Sequence, residues 1–212
     1  MVTANAVPPH TGARRSYKVE ILLVSFAALL LEISYTRIIS YKLFYYYTYL
    51  VIGLALLGIG AGGVIVAISR RVRQAETETV LLWSLLLGGA SVFVGYIVIA
   101  LLRTDTVAIW KYGTFDSISN VGRLVVICLA LFAAFLGVGV VIATLFARGA
   151  NEIGRLYFAD LLGAGLACAV VVSLLGWIGP PATIMLAGLT LSLAGCGSRC
   201  AAVPSPSSPR PC

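Results

Sequence analysis

Three ionisable residues lie within long apolar stretches of the sequence, namely Glu32, Arg37 and Asp160. An ionisable group surrounded by hydrocarbon costs several kcal/mol unless it is neutral, paired or hydrated, so each one is a candidate for function. The carboxylates of Glu32 and Asp160 would suit a polar cavity for a cationic solute or a proton. Alternatively, they accept hydrogen bonds from Tyr, Ser or Thr hydroxyls and fix the packing of helices. The sequence favours packing but leaves both interpretations open.

The spacing of these residues predicts that they do not pair with one another. Glu32 follows Glu20 by 12 residues, which on a helix corresponds to about 18 Å, near the middle of a bilayer. Arg37 lies nearer the far surface and about 140° around the helix from Glu32, so the two cannot form a good intrahelical pair. Asp160 lies only about 7 Å beyond Arg155. We therefore expect a separation in depth of about 10 Å or more between Asp160 and Glu32.

The composition shows what kind of protein must position these residues. Of 212 residues, 60% are hydrophobic and 11% are charged, and the mean hydropathy is +1.01. A soluble domain carries about 25% charged residues, so a soluble enzyme is excluded. Disorder over most of the length is excluded as well, because disorder requires low hydrophobicity. The chain is predicted to be an all-α, polytopic integral membrane protein in contact with the lipid bilayer.

Six apolar stretches are candidates for transmembrane helices, since backbone groups in hydrocarbon must be satisfied within each segment. They cover residues 21–40, 49–69, 80–102, 124–147, 157–178 and 182–193. Gly179, Pro180 and Pro181 separate the fifth from the sixth and predict a tight helical hairpin. The last stretch is short, so five or seven spans remain alternatives to six.

The expected domain organisation has three parts. Residues 1–20 form a basic segment on the cytoplasmic side, and residues 21–193 form the transmembrane bundle. Residues 194–212 are rich in Pro and Ser and lack periodicity, which predicts a disordered tail. We interpret this tail either as natural or as the result of truncation or a frame shift.

The basic residues predict the orientation of the bundle. The net charge of +7 comes from short clusters between the apolar runs, a pattern typical of membrane orientation rather than of nucleic-acid binding. With six spans, ten Lys and Arg residues fall on one side and five on the other. The side with more of them is expected to be the cytoplasm. Both termini are therefore predicted to be cytoplasmic, in the inner (plasma) membrane of a bacterium.

Glycines in the second and fifth spans predict close contact between helices. The stretch from Gly58 to Gly63 fits the GxGxxG string of dinucleotide sites, but it lies in the middle of a span without a preceding strand. Gly58 and Gly62 form a GxxxG pair, and Gly163 with Ala167 forms a pair of small residues at the same spacing. We therefore interpret Gly58, Gly62 and Gly163 as packing positions rather than nucleotide ligands.

Two stretches resemble a known family. The first is LLVSFAALLLEISYTRIIS at residues 22–40, and the second is GRLYFADLLGAGLACAVV at residues 154–171. Together they are similar to the membrane portion of bacterial spermidine synthase-like (polyamine aminopropyltransferase-like) proteins, in which a helical bundle precedes a soluble transferase domain. The matching positions, whose role is unsettled, are Glu32, Tyr35, Arg37, Gly154, Arg155, Tyr157, Asp160 and Gly163.

The resemblance implies no catalytic residue in this chain, because the family's catalytic part is the soluble domain. The possible intramembrane polar site comprises Glu32, Tyr35, Arg37, Tyr157 and Asp160. The leading hypothesis is a non-catalytic membrane module that anchors or feeds a transferase domain or subunit. The alternatives are a self-standing transporter or exporter of a cationic small molecule and a structural membrane subunit. No cofactor, metal site or nucleic-acid partner is expected, and we expect no aminopropyltransferase activity.

The charge distribution makes a testable prediction about topology. A reporter fused after Arg210 should be active in the cytoplasm, whereas a reporter inserted near Lys111 should be active on the opposite side, because Lys and Arg are retained in the cytoplasm. Fusions of each type, read out by one cytoplasmic and one extracytoplasmic reporter enzyme, measure this. Activities that are reversed between the two positions would contradict the predicted orientation.

Overall fold

The computed structural model describes residues 17–43, 47–70, 77–101 and 115–200, and every regular element in these ranges is helical. The described ranges contain six α-helices: α1 (Lys18–Leu43), α2 (Tyr47–Ile68), α3 (Thr77–Leu101), α4 (Phe115–Arg148), α5 (Ile153–Trp177) and α6 (Gly179–Cys200). A short 3-10 turn at Ala150–Glu152 joins α4 to α5. The predicted all-α bundle is confirmed.

Five helices in the described part of the chain, α1 to α5, are long and apolar enough to cross a membrane. The apolar portion of α6 is shorter and covers Gly179–Gly195. Many large apolar side chains on the outside of the bundle are exposed, including Leu56, Trp83 and Phe158. Such a surface requires hydrocarbon around it. The chain is a multi-pass membrane protein.

The first helix is the centre of the arrangement. Helix α1 packs extensively against α5 and α6 and also contacts α2 and α4. The order of contacts α1, α6, α3, α4, α2 and back to α1 forms a ring, and α5 lies outside this ring against α1. The buried face of α5 is accordingly a narrow row of mostly small residues. This row consists of Leu156, Ala159, Gly163, Ala167 and Val171.

Glycines let α2 and α4 approach to backbone contact. A Cβ atom at Gly62 would lie 2.5 Å from the amide nitrogen of Val140 and 2.6 Å from the carbonyl carbon of Gly139. A Cβ atom at Gly58 would lie 2.7 Å from the Cβ of Phe135. No larger residue fits at either position without moving α4. Close approach replaces the hydrophobic driving force that helices lack when their surroundings are lipid.

The same device joins α3 to α4. A Cβ atom at Gly137 would lie 2.8 Å from the Cα of Gly88. Gly139, two residues further along α4, meets the backbone of Ile59 in α2. Helix α4 is thus held between two neighbours by glycines that lie on different sides of it.

Helices α4 and α6 extend furthest beyond their predicted limits. Helix α4 begins at Phe115 rather than near Leu124. Its 34 residues form a helix about 51 Å long, whereas the hydrocarbon core of a bilayer is about 30 Å thick. The polar first turns of α4 can therefore extend beyond the hydrocarbon. Helix α6 continues to Cys200, past the predicted start of the tail at residue 194. Ala194 and Gly195 are buried, and Gly195 packs against Leu85 of α3. The composition alone predicts disorder from residue 194, but the packing of these small residues in the bundle lets α6 continue.

The turn between α5 and α6 lies where Gly179 and the two prolines predict it. Gly179 has a φ of +77°, a conformation that glycine adopts without a steric penalty. Beyond the turn, however, the two helices contact each other only slightly, and both pack against α1. The segment therefore changes the chain direction without forming a closely packed hairpin. The predicted segment before residue 17, the connection around Lys111 and the tail from residue 201 lie outside the described residues.

Glycine packing predicts a sharp difference between two neighbouring positions of α2. Gly62→Ala should lower the free energy of unfolding by about 1–3 kcal/mol, because the added methyl group overlaps the backbone of α4. Gly60→Ala is the matched control, since a Cβ atom there meets nothing within 4 Å. Reversible unfolding in mixed micelles measures both variants. Equal stability of the two variants would contradict the packing.

Candidate functional site

Polar residues on α1 follow one face of the helix. Lys18, Ser25 and Glu32 are spaced by seven residues, which places successive members about 20° apart around the helix and about 10 Å apart along it. We call these three residues the polar stripe. The first two members of the stripe contact acidic residues of α5 or of the turn that precedes it.

The middle of the polar stripe is joined to α5 by a hydrogen bond. The hydroxyl group of Ser25 donates to Oδ1 of Asp160. Ser25 is 5% exposed, so the bond lies within the helix interface. In hydrocarbon, this bond satisfies part of the hydrogen-bonding capacity of a carboxylate that would otherwise be costly to bury.

A glycine on α5 brings the two helices close enough for this bond. A Cβ atom at Gly163 would overlap the carbonyl oxygen of Leu22, so only glycine fits there while the helices keep this distance. Gly163 lies one turn beyond Asp160, and Leu22 lies one turn before Ser25. Steric contact and the hydrogen bond therefore act on adjacent turns of the same interface.

The first member of the polar stripe contacts the turn before α5. The Nζ atom of Lys18 lies 3.5 Å from Oε2 of Glu152, and Nη1 of Arg155 lies 3.9 Å from the same oxygen. All three side chains are partly or largely exposed, so each pair contributes little stability. The Lys18–Glu152 pair nevertheless places the start of α5 beside the start of α1.

The third member of the polar stripe, Glu32, is in a different situation. Its side chain is partly buried, and among the described residues it makes no hydrogen bond or ion pair. Glu32 lies two turns beyond Ser25, about 10 Å along the helix. This separation from the Ser25–Asp160 contact agrees with the depth difference that the sequence predicts for Glu32 and Asp160.

Tyr35 connects α1 to α3 across the interior of the bundle. Its side chain is fully buried, and its hydroxyl group donates to the carbonyl oxygen of Val92 at 2.9 Å. Gly95 makes room for the ring, since a Cβ atom there would lie 3.0 Å from the hydroxyl oxygen. Tyr35 therefore has a structural contact of its own, directed towards α3 rather than towards α5.

The other two predicted site residues lie on the outside. Arg37 is exposed on α1 and forms no ion pair among the described residues. Tyr157 on α5 is 56% exposed. The structure thus brings Asp160 against the polar stripe that contains Glu32, but it directs Tyr35 to α3 and leaves Arg37 and Tyr157 at the surface.

Sequence reasoning missed the residues on the other side of these contacts. Ser25 is a small polar residue in an apolar run, but its spacing of seven from both Lys18 and Glu32 is visible in the sequence and could have identified it. The role of Glu152 could not have been found in this way, because it depends on how α5 is placed against α1. Within the described ranges, no group of three or more His, Cys, Asp or Glu residues could hold a metal ion.

No protein family, curated protein or solved structure matches the chain. The role of the α1–α5 interface therefore has to be argued from its own geometry.

The Ser25–Asp160 bond makes a quantitative prediction. In a double-mutant cycle of Ser25→Ala and Asp160→Ala, the two changes should be coupled by about 0.6–1.7 kcal/mol, the range typical of hydrogen bonds between membrane helices. Unfolding in mixed micelles measures the coupling.

Ser91→Ala provides the control for this cycle. The hydroxyl group of Ser91 bonds to Leu87 of its own helix at 2.7 Å. Its coupling to Asp160→Ala should be close to zero. Coupling energies that are the same for Ser25 and Ser91 would contradict the interhelical bond.

Proposed function

We propose that the chain is a non-catalytic membrane module of a spermidine synthase-like system, which holds a soluble transferase domain or subunit at the bilayer surface. The observation that carries the proposal is the α1–α5 interface. The two stretches on which the family resemblance rests, at residues 22–40 and 154–171, are far apart in sequence but pack against each other. Ser25, Asp160, Leu22 and Gly163 are the contacting residues.

The chemistry of this interface favours a structural role. Asp160 is bonded to a hydroxyl group of the neighbouring helix, and Tyr35 is bonded to a backbone carbonyl group of another. Both polar groups are therefore used to fix helix positions. A bundle with such fixed helices suits a platform for a second domain better than a path that must open and close.

We also propose that both termini face the cytoplasm and that the membrane is the bacterial inner membrane. The excess of Lys and Arg on one side supports this orientation. The contact between Lys18 and Glu152 places the starts of α1 and α5 at the same end of the bundle. If α1 to α4 each cross the membrane, four crossings separate the start of α1 from the start of α5, which requires the same arrangement.

A transporter of a cationic solute is the second candidate, and Glu32 is the observation that favours it. This carboxylate lies within α1, is partly buried and has no partner among the described residues. Intramembrane carboxylates of this kind are often part of a path for ions or protons. The lack of a convincing internal repeat in the sequence argues against this candidate, because many transporters contain one.

Glu32 separates the two candidates experimentally. Under the module hypothesis, Glu32→Gln and Glu32→Ala should each unfold within about 1 kcal/mol of the wild type, because neither change removes a hydrogen bond or an ion pair among the described residues. Spermidine and putrescine should enter vesicles containing any of the three proteins no faster than vesicles without protein. Unfolding in mixed micelles and uptake of radiolabelled polyamine are the measurements.

The opposite result is equally clear. Saturable polyamine uptake by the wild type that is abolished in a stably folded Glu32→Gln variant would overturn the module proposal and establish the transporter. Asp160→Asn is a useful companion variant, because it changes a carboxylate that is already bonded to Ser25.

A further inference from the structure

A groove of about 500 Å³ lies between the first turns of α1 and α5. Two basic residues, Lys18 and Arg155, line it together with Gly154. The remaining lining residues are apolar: Val19, Leu22, Phe158, Ala159 and Leu162. The surface of the groove is almost entirely apolar, and the charged ends of Lys18 and Arg155 lie near Glu152 at its mouth.

The cations and the apolar walls occupy different ends of the groove. Lys18 and Arg155 belong to the first turns of their helices, whereas the walls extend along α5 as far as Leu162. From Gly154 to Leu162 the helix rises by about 12 Å. Directly after Leu162, Gly163 contacts the backbone of Leu22. A ligand must have its charge at the mouth and its apolar part deeper in the membrane.

Among the described residues, three charged side chains lie close together at the mouth. Lys18 and Arg155 both lie near Glu152, at 3.5 Å and 3.9 Å. Two positive charges and one negative charge leave a formal excess of one positive charge. The Arg155 side chain is 72% exposed, so its guanidinium group can bind a further oxyanion in two-pronged geometry. The group complementary to this mouth is a single negative charge on a phosphate.

The arrangement of the groove suits a phospholipid. Apolar walls along α1 and α5 match flexible hydrocarbon chains, and the cations at the mouth match a phosphate group. The basic mouth also repels a polyamine.

We infer that this groove is a binding site for one anionic phospholipid of the leaflet in which α1 and α5 begin. The phosphate diester contacts Lys18 and Arg155, and the acyl chains lie against Leu22, Phe158 and Leu162. Basic pockets between transmembrane helices are known to select anionic lipids in this way. The bound lipid adds contacts between α5 and α1, the pair of helices that the Ser25–Asp160 bond already joins.

Gly154 offers a variant that blocks the groove without straining the fold. A Cβ atom at Gly154 meets nothing within 4 Å, and the same holds for Gly165 on the same helix outside the groove. Gly154→Leu fills the groove, and Gly165→Leu is its matched control. Arg155→Gln removes one cation from the mouth. Arg70→Gln removes an exposed cation that does not line the groove.

The test is a titration of the purified full chain with phosphatidylglycerol or phosphatidylcholine, with bound lipid counted by native mass spectrometry. We expect one saturable phosphatidylglycerol that binds at least about tenfold more tightly than phosphatidylcholine. Gly154→Leu and Arg155→Gln should each weaken this binding about tenfold or more. Gly165→Leu and Arg70→Gln should bind like the wild type.

Three results would overturn the inference. Equal binding of the two lipids would show that the mouth does not select charge. A preference for phosphatidylglycerol that survives in Gly154→Leu would place the lipid elsewhere. Competition by glycerol 3-phosphate at the same concentration as the lipid would show a site for a soluble anion. Thermal unfolding of each variant shows whether a loss of binding is due to misfolding. If Gly154→Leu or Arg155→Gln is misfolded, Lys18→Gln replaces it and must also weaken the binding of phosphatidylglycerol.

Discussion

Close backbone contact at glycines is the constraint on which this structure depends. In water, apolar helices associate because burial removes their surface from the solvent, but in a bilayer the lipid tails are as apolar as the helices. Association must then come from dispersion and from hydrogen bonds, which both require short distances. Gly62 against Gly139 and Gly137 against Gly88 provide these distances around α4, and Gly163 against Leu22 provides them between α5 and α1.

Polar contacts are added where the glycines have already brought helices together. The Ser25–Asp160 bond lies one turn from the contact of Gly163, and the hydroxyl group of Tyr35 reaches Val92 beside Gly95. A hydrogen bond between helices needs its two groups at a fixed distance, and a side chain larger than glycine at these positions would move them apart. The small residues therefore determine which polar pairs can form.

The sequence predicts where each helix lies along the chain better than it predicts which helices pack against each other. Apolar runs identify the spans because a bilayer of fixed thickness demands a minimum length. The sequence contains almost no periodic pattern that shows which side of a helix packs against a neighbour. The exposed residues Leu56 and Leu161 are as apolar as the buried residues Ala55 and Ala159. Small residues and isolated polar residues were the remaining guides. They predicted the role of Gly58, Gly62 and Gly163, and the spacing of Ser25 could have identified it as well, but Glu152 could be recognised only after α1 and α5 were paired.

The position of α5 connects these features to function. Only a narrow row of α5 is buried in the bundle. Its place depends on the contact of Gly163, the bond to Ser25 and the ion pair between Lys18 and Glu152. These interactions all involve α1, which is the most buried of the five helices long enough to cross a membrane. A ligand or domain that binds where α1 and α5 begin would contact both the most buried and the least buried of the five long helices, and would thereby affect the position of α5. Lys18 belongs to both features, since it is the first member of the polar stripe and lies at the mouth of the groove. Its positive charge favours an anionic lipid there over a polyamine.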